Sequence, residues 1–294
     1  MSVLFQKAFN LDDDDAYQRW SEAKLPLHQC DVSQHIVMIS DPFNLTEDES
    51  RALLVSCDHY NMAVYQLREA TNQSKDMVLS LGQQVGLNRL DTNLRSDLDS
   101  ISRLQVSEQA GNQYIPYTNK ALSWHTDGYY NKPECQINGF LLHCVSTAEK
   151  GGMNFLLDHE WVYKILRDEN PDYIEALMHP QAMTIPDNIE AGKVIRAAQT
   201  GPVFSLHSSG RLHMRYSARK RNIVWRDDEC TKAAVLRLTE ILSDESLVLS
   251  HAMQAGQGLI CNNVLHNRTG FVNSDSNKRL MYRARYFDRV SGLS

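Results

Sequence analysis

GLICNNVLHNRTGFVNSDSNKRLMYRARYF, residues 258–287, is the stretch from which the rest of the chain can be read. Gly258 to His266 has the apolar density of a buried strand that ends in a histidine. Thirteen residues beyond His266 comes Arg279, opening the alternating run Arg279-Leu-Met-Tyr-Arg283-Ala-Arg285-Tyr-Phe287. Strand spacing puts Arg279, Met281, Arg283 and Arg285 on one face. Guanidinium groups crowded on an otherwise apolar face repel one another and are costly to bury without a partner. A dicarboxylate, which guanidinium grips through two parallel hydrogen bonds, is a natural one. For Arg285 and Arg289 a solvated strand edge is the expectation.

A second segment, Ser123-Trp124-His125-Thr126-Asp127-Gly128, supplies what His266 needs. In an extended chain residues two apart project to the same side, so His125 and Asp127 converge. Alone, His-x-Asp is a common tripeptide. With His266 it becomes two imidazoles and a carboxylate, a set that holds a divalent first-row metal and leaves positions open for substrate and O₂. The same residue types admit a zinc hydrolase, although no general base stands beside them and Arg279 has no role there. They also admit a non-enzymatic metal- or metabolite-binding protein on the same scaffold.

Outward from these segments, short apolar or alternating runs recur at 104–107, 137–146, 153–157, 181–185, 202–207 and 211–216. Helical composition falls at 159–169, 171–178 and 229–243. Before residue 104 the chain reads as mostly helical: a short strand at 35–40, then helices over 50–70 (capped by Thr46 and Glu49), 74–86 and 90–103. Many short strands with helical insertions predict a mainly β fold, a sandwich or jelly roll with flanking α-helices. With no repeat or Pro/Ser-rich linker, residues 1–294 are expected to form one domain, a helical layer over 1–104 and a jelly-roll core over 105–290.

The net charge of −6 offers no basic surface for nucleic acid, and no apolar run reaches the ~18 residues of a membrane span. Six scattered cysteines without a CxxC pair, and an acidic rather than basic start, point to a cytoplasmic protein with reduced thiols.

The order His-x-Asp, then a Gly-Gly segment, then a distant His followed by Arg resembles the TauD/TfdA-like family of Fe(II)/2-oxoglutarate-dependent dioxygenases over roughly residues 105–290. YIPYTNKALSWHTDGYY and NNVLHNRTGFVNSDSNKRLMYRARYF carry the likeness. The resemblance implies a double-stranded β-helix (jelly roll, clavaminate synthase-like) with His125, Asp127 and His266 as iron ligands. It implies Arg279 on the distal carboxylate of 2-oxoglutarate and Arg283 as a contact for an anionic substrate. Where the family typically has Thr against 2-oxoglutarate, this chain has Asn154, whose amide also donates a hydrogen bond. The implied reaction hydroxylates, or otherwise oxidises, a C–H bond of a small polar or anionic metabolite with Fe(II), 2-oxoglutarate and O₂, releasing succinate and CO₂. With a carboxylate at Asp127, hydroxylation is favoured over halogenation. Tyr114, Tyr117, Asn119 and Tyr129 are substrate-pocket candidates, with Arg215 as a further one. The partner is a small molecule, and homo-oligomers are common in the family.

Overall fold

The computed structural model describes residues 7–26, 35–71, 73–92, 100–106, 115–207, 209–219 and 223–292; Tyr114 lies outside them. The chain is mixed α and β. It divides into two compact units, residues 27–123, 137–156 and 249–294 in one, and 1–26, 124–136 and 157–248 in the other.

The first unit is built on a six-stranded sheet in the order β1 (Val37–Ile39), β2 (Met62–Leu67), β16 (Gln257–Cys261), β5 (Gly139–Ser146), β19 (Leu280–Tyr286) and β3 (Ser102–Leu104). Strand alternation divides its side chains between two cores. Ala63, Tyr65, Leu141, Ile260, Ala284 and Tyr286 pack with helices α2 (Glu47–Tyr60) and α3 (Lys75–Gln84). Met62, Val64, Phe140, Leu259, Cys261 and Met281 point the other way, onto Leu156 and Leu249. Those two belong to a four-stranded sheet in the order β15 (Leu249–His251), β7 (Asn154–Leu157), β17 (Leu265–Arg268) and β4 (Leu122–His125). A short pair, β6 (Lys150–Gly151) with β18 (Phe271–Val272), closes the turn beside it.

Two helices expected before residue 104 are corrected. The capping box of Thr46 and Glu49 is formed, but α2 stops at Tyr60 and residues 62–67 are strand β2. Asn61 takes a left-handed conformation (φ 59°) and its N–H caps Cys57 O, which ends the helix. MAVYQL is buried on both faces, so it lacks the polar alternation that would have marked a strand. In 90–103, Ser102–Leu104 is β3, paired antiparallel with β19, and Leu90 bridges Tyr286; residues 93–99 lie outside the described residues. The helix expected at 74–86 is α3.

A polar chain threads the first core. His143 Nε2 lies 2.9 Å from Gln73 Oε1, an acceptor only, so Nε2 carries the proton and Nδ1 accepts from the Tyr65 hydroxyl at 2.9 Å. The Tyr65 and His143 rings stack nearly parallel (8°). Gly258 stands opposite Tyr65 across β16 and β2, and a Cβ there would fall 2.3 Å from the phenol.

The second unit carries α1 (Asp14–Ala23), α4 (His159–Glu169), α5 (Pro171–Met178) and α6 (Glu229–Ile241). Its sheets are small: β11 (Gln199–Gly201), β8 (Met183–Ile185) and β14 (Val224–Trp225) in that order, and the pairs β9 (Asn188–Glu190) with β10 (Lys193–Arg196) and β12 (Phe204–Leu206) with β13 (Leu212–Met214). Phe9, Trp20, Tyr163 and Phe204 meet edge to face in its core. Lys24 is buried between Asp158 (2.6 Å) and Glu160 (2.7 Å). Among the described residues no helix is long and apolar enough to cross a membrane.

Candidate metal centre

β4 ends at His125, and hydrogen bonds keep the chain extended beyond it. Thr126 N donates to Tyr216 O (3.0 Å), and Tyr216 N donates to Thr126 Oγ1 (3.0 Å). Ala218 N donates to Trp124 O (2.8 Å), and His125 bridges Ser217. The Thr126 side chain is thus spent on one side of the segment, and alternation sends His125 and Asp127 to the other. Gly128 follows with φ +68°, a conformation that glycine reaches without strain, and the chain turns away.

β17 neighbours β4 in the four-stranded sheet and carries His266. One ligand atom from each of His125, Asp127 and His266 lies within 4.8 Å of the others. His125 Nε2 and Asp127 Oδ1 are 3.8 Å apart. His266 Nδ1 is 3.0 Å from Val264 O, and because a carbonyl only accepts, Nδ1 holds the proton and Nε2 presents its lone pair. Phe140 packs on the His266 ring at 4.8 Å, and Tyr129 stands edge-on to His125 at 6.4 Å. Two imidazoles and a carboxylate, largely buried and convergent, fit a divalent first-row metal with open positions.

Asn154 and Arg279 share a cavity of about 270 Å³ with Gly152, Cys144 and Gln254. Arg279 is 5% exposed, and among the described residues its guanidinium has no hydrogen bond or ion pair; it lies over the Phe271 ring at 5.2 Å. Burial pulls its pKa down to about 10, still charged at neutral pH. Gly151 (φ +81°) makes the approach on this side: a Cβ there would sit 2.4 Å from Gly270 O. Asn154 Nδ2 donates to His251 O at 3.4 Å.

A second cavity, of about 240 Å³, is lined by Asp127 and Tyr129 together with Asn131, Thr200, His213 and Arg215. Sequence reasoning missed most of this wall. Its polar residues come from three segments far apart in sequence, 127–131, 199–201 and 213–215. Of the other pocket candidates, Tyr117 packs against the second core and Asn119 is exposed, its carbonyl accepting from Phe271 N. Arg283 is buried on β19, opposite Leu142 and Ser102, and lines neither cavity. Arg285 departs from expectation: it is buried and ion-paired with Asp91 instead of solvated. A bulge between Leu280 and Met281 breaks the single-face register expected for the four residues 279–285.

The model of the taurine catabolism dioxygenase TauD, TfdA family matches residues 26–285. The chain belongs to this family. It is therefore an Fe(II)- and 2-oxoglutarate-dependent dioxygenase acting on a small metabolite, and of the three readings left open by the ligand set, the oxygenase stands. A uridine-5'-phosphate dioxygenase from Streptomyces sp is 29% identical over 198 residues, 65% of this chain and 71% of that protein. Another from Amycolatopsis sp is 28% identical over 169 residues, covering 55% and 60%. Among solved structures, the non-heme iron oxygenase OrfP with Fe and alpha-ketoglutaric acid superposes with a TM-score of 0.62 at 15% identity, covering 82% of this chain and 80% of that one. An asparagine oxygenase with Fe(II), 2S,3S-3-hydroxyasparagine and succinate superposes at 0.59 and 13% identity, covering 97% and 89%.

Proposed function

We propose that this dioxygenase binds iron through His125, Asp127 and His266 and oxidises a C–H bond of a small anionic metabolite, a nucleoside 5'-monophosphate of the uridine type. The convergence of those three side chains carries the reading. Arg279 holds the distal carboxylate of 2-oxoglutarate, whose charge compensates a buried guanidinium that no protein carboxylate meets among the described residues. Asn154, on the wall of the same cavity, donates to the cosubstrate. With iron, 2-oxoglutarate and O₂ bound, the centre supplies oxidative decarboxylation coupled to oxidation of substrate. The chain's part is to fix geometry: Val264 O sets the His266 tautomer, the Thr126–Tyr216 pair sets the pitch between His125 and Asp127, and Phe140 excludes water from one side of the ligands.

The names of the two relatives support the substrate class. Of the four pocket candidates, Tyr129 is assigned to the substrate side, since it lines the cavity that Asp127 also lines. The six- and four-stranded sheets, packed face to face through Phe140, Leu259, Met281, Leu156 and Leu249, are read as the two halves of a jelly roll. The thiols of Cys57, Cys135, Cys144, Cys230 and Cys261, none of them in a disulfide, accord with a reducing cytoplasm.

Anaerobic protein given Fe(II) and 2-oxoglutarate should develop a weak visible charge-transfer band. His125→Ala and His266→Ala should lose it, and turnover with uridine 5'-phosphate should yield succinate. A wild-type protein without the band and without succinate formation would refute the assignment.

A further inference from the structure

The cavity beside Asp127 contains a second buried guanidinium with no counter-charge among the described residues. Arg215 follows β13 and is 7% exposed. Its Nε donates to Tyr129 O (2.8 Å), Nη1 to Met183 O (3.2 Å) and Nη2 to Gln199 O (2.7 Å). All three acceptors are neutral backbone carbonyls, and among the described residues no carboxylate pairs with it. A guanidinium has five N–H donors, so two remain, one on each terminal nitrogen. Arg196 stands in the same neighbourhood. It lies 5.8 Å from the Tyr130 ring and its N–H groups likewise go only to carbonyls, those of Pro186 and Ala197. Burial first, then this neighbouring charge, pulls the Arg215 pKa down to about 10, so Arg215 stays cationic at neutral pH.

Gly201 keeps the approach open. A Cβ at Gly201 would lie 3.2 Å from Arg215 Nη1, tight enough to crowd the spare donor on that nitrogen. Holding a cation rigid by three carbonyls, uncompensated, on a cavity wall is costly unless an anion completes it. A planar fork with spare donors is suited to an oxyanion. Arg215 on the wall and Arg196 near it, neither paired with a carboxylate among the described residues, match a phosphate monoester, with ~1.5–2 negative charges, better than a single carboxylate.

We propose that Arg215, with Arg196 beside it, anchors the phosphate of the primary substrate, and so determines specificity from outside the iron ligands and the Arg279 cavity. Thr200 and His213 line the same cavity and are placed to hydrogen-bond the polar remainder of the substrate. This rests on the reading of that cavity as the substrate side of the iron centre.

The test is calorimetric titration with uridine 5'-phosphate, uridine and inorganic phosphate, on metal-free protein and on the anaerobic Fe(II)–2-oxoglutarate form. Wild type, Arg215→Lys and Gly201→Ala are compared; the last keeps the guanidinium itself and keeps the experiment decisive if the first folds poorly. Uridine 5'-phosphate should bind about tenfold or more tightly than uridine, and each variant should lose most of that advantage while binding 2-oxoglutarate as wild type does. Equal affinity for nucleotide and nucleoside overturns the proposal, as does absence of binding by both uridine 5'-phosphate and inorganic phosphate. Variants that weaken both ligands alike and perturb the visible band overturn it too, because Arg215 would then only brace the segment after Asp127. Failure of the iron reading is separately visible: the band is absent in wild type, whatever the nucleotides do.

Discussion

His143 makes the protein's stability sensitive to mild acid, by an amount the structure sets. The imidazole is fully buried, neutral, and committed on both nitrogens to Tyr65 and Gln73. Burial lowers its pKa from 6.5 to about 4. A depressed histidine pKa means that the unfolded chain takes up the proton first. The stabilisation is therefore present in full above pH ~6.5 and is lost as pH falls from there through about 4. A difference of ~2.5 units is worth about 3 kcal/mol in full, and about 2 kcal/mol of it is gone by pH 5. Urea unfolding of metal-free protein at pH 7.5 and pH 5, compared between wild type and His143→Gln, isolates this group. The variant cannot titrate, so it should lose about 2 kcal/mol less than wild type over that interval, although it starts less stable. His251, also lowered mainly by burial, is common to both proteins and cancels in the comparison. Equal losses in the two proteins would refute the assignment of a buried neutral imidazole.

Removing the Arg279 guanidinium as Arg279→Met should weaken 2-oxoglutarate binding by about thirtyfold or more, as expected when one side of a buried charge pair is truncated. Unfolding stability without cosubstrate should stay level or rise, because an uncompensated buried charge is gone; unchanged 2-oxoglutarate affinity by titration would contradict the role. Gly258→Ala forces a methyl into the Tyr65 ring at 2.3 Å in the middle of the six-stranded sheet. It should cost ~1–3 kcal/mol or more in urea unfolding, and a variant as stable as wild type would show that β2 and β16 are not in this register.

The chemistry of this chain was legible in the sequence where it depends on alternation within one segment. His125 and Asp127 follow from an extended backbone, and a histidine closing an apolar run follows from strand density, so their convergence could be foreseen. Arg279 could be foreseen for the same reason, as a guanidinium in an apolar run. What local pattern could not give was register and partner. The bulge after Leu280 changed which arginines share a face, and Arg285 found Asp91, 194 residues away in sequence. Strand β2 was hidden because both its faces are buried, which removes the alternation a reader relies on. The wall around Arg215 was the least legible part. Residue 131 comes from the turn after Asp127, 200 from β11, and 213 and 215 from β13 and the residue after it, and only the folded chain assembles these three segments.

The thiol of Cys144 lies on the wall of the Arg279 cavity and is directed to Met253 O. Burial pushes its pKa up to about 11, against which the opposing pull of Arg279 is the smaller effect. At neutral pH well under one molecule in a thousand carries the thiolate there, by the difference between ~7 and about 11. Since the thiolate is the form that peroxide and related oxidants attack, an enzyme that handles O₂ keeps this sulfur in its inert state. The same desolvation that lowers the arginine's pKa thus protects its neighbour from self-inflicted oxidation, and inactivation during turnover should begin elsewhere than at Cys144.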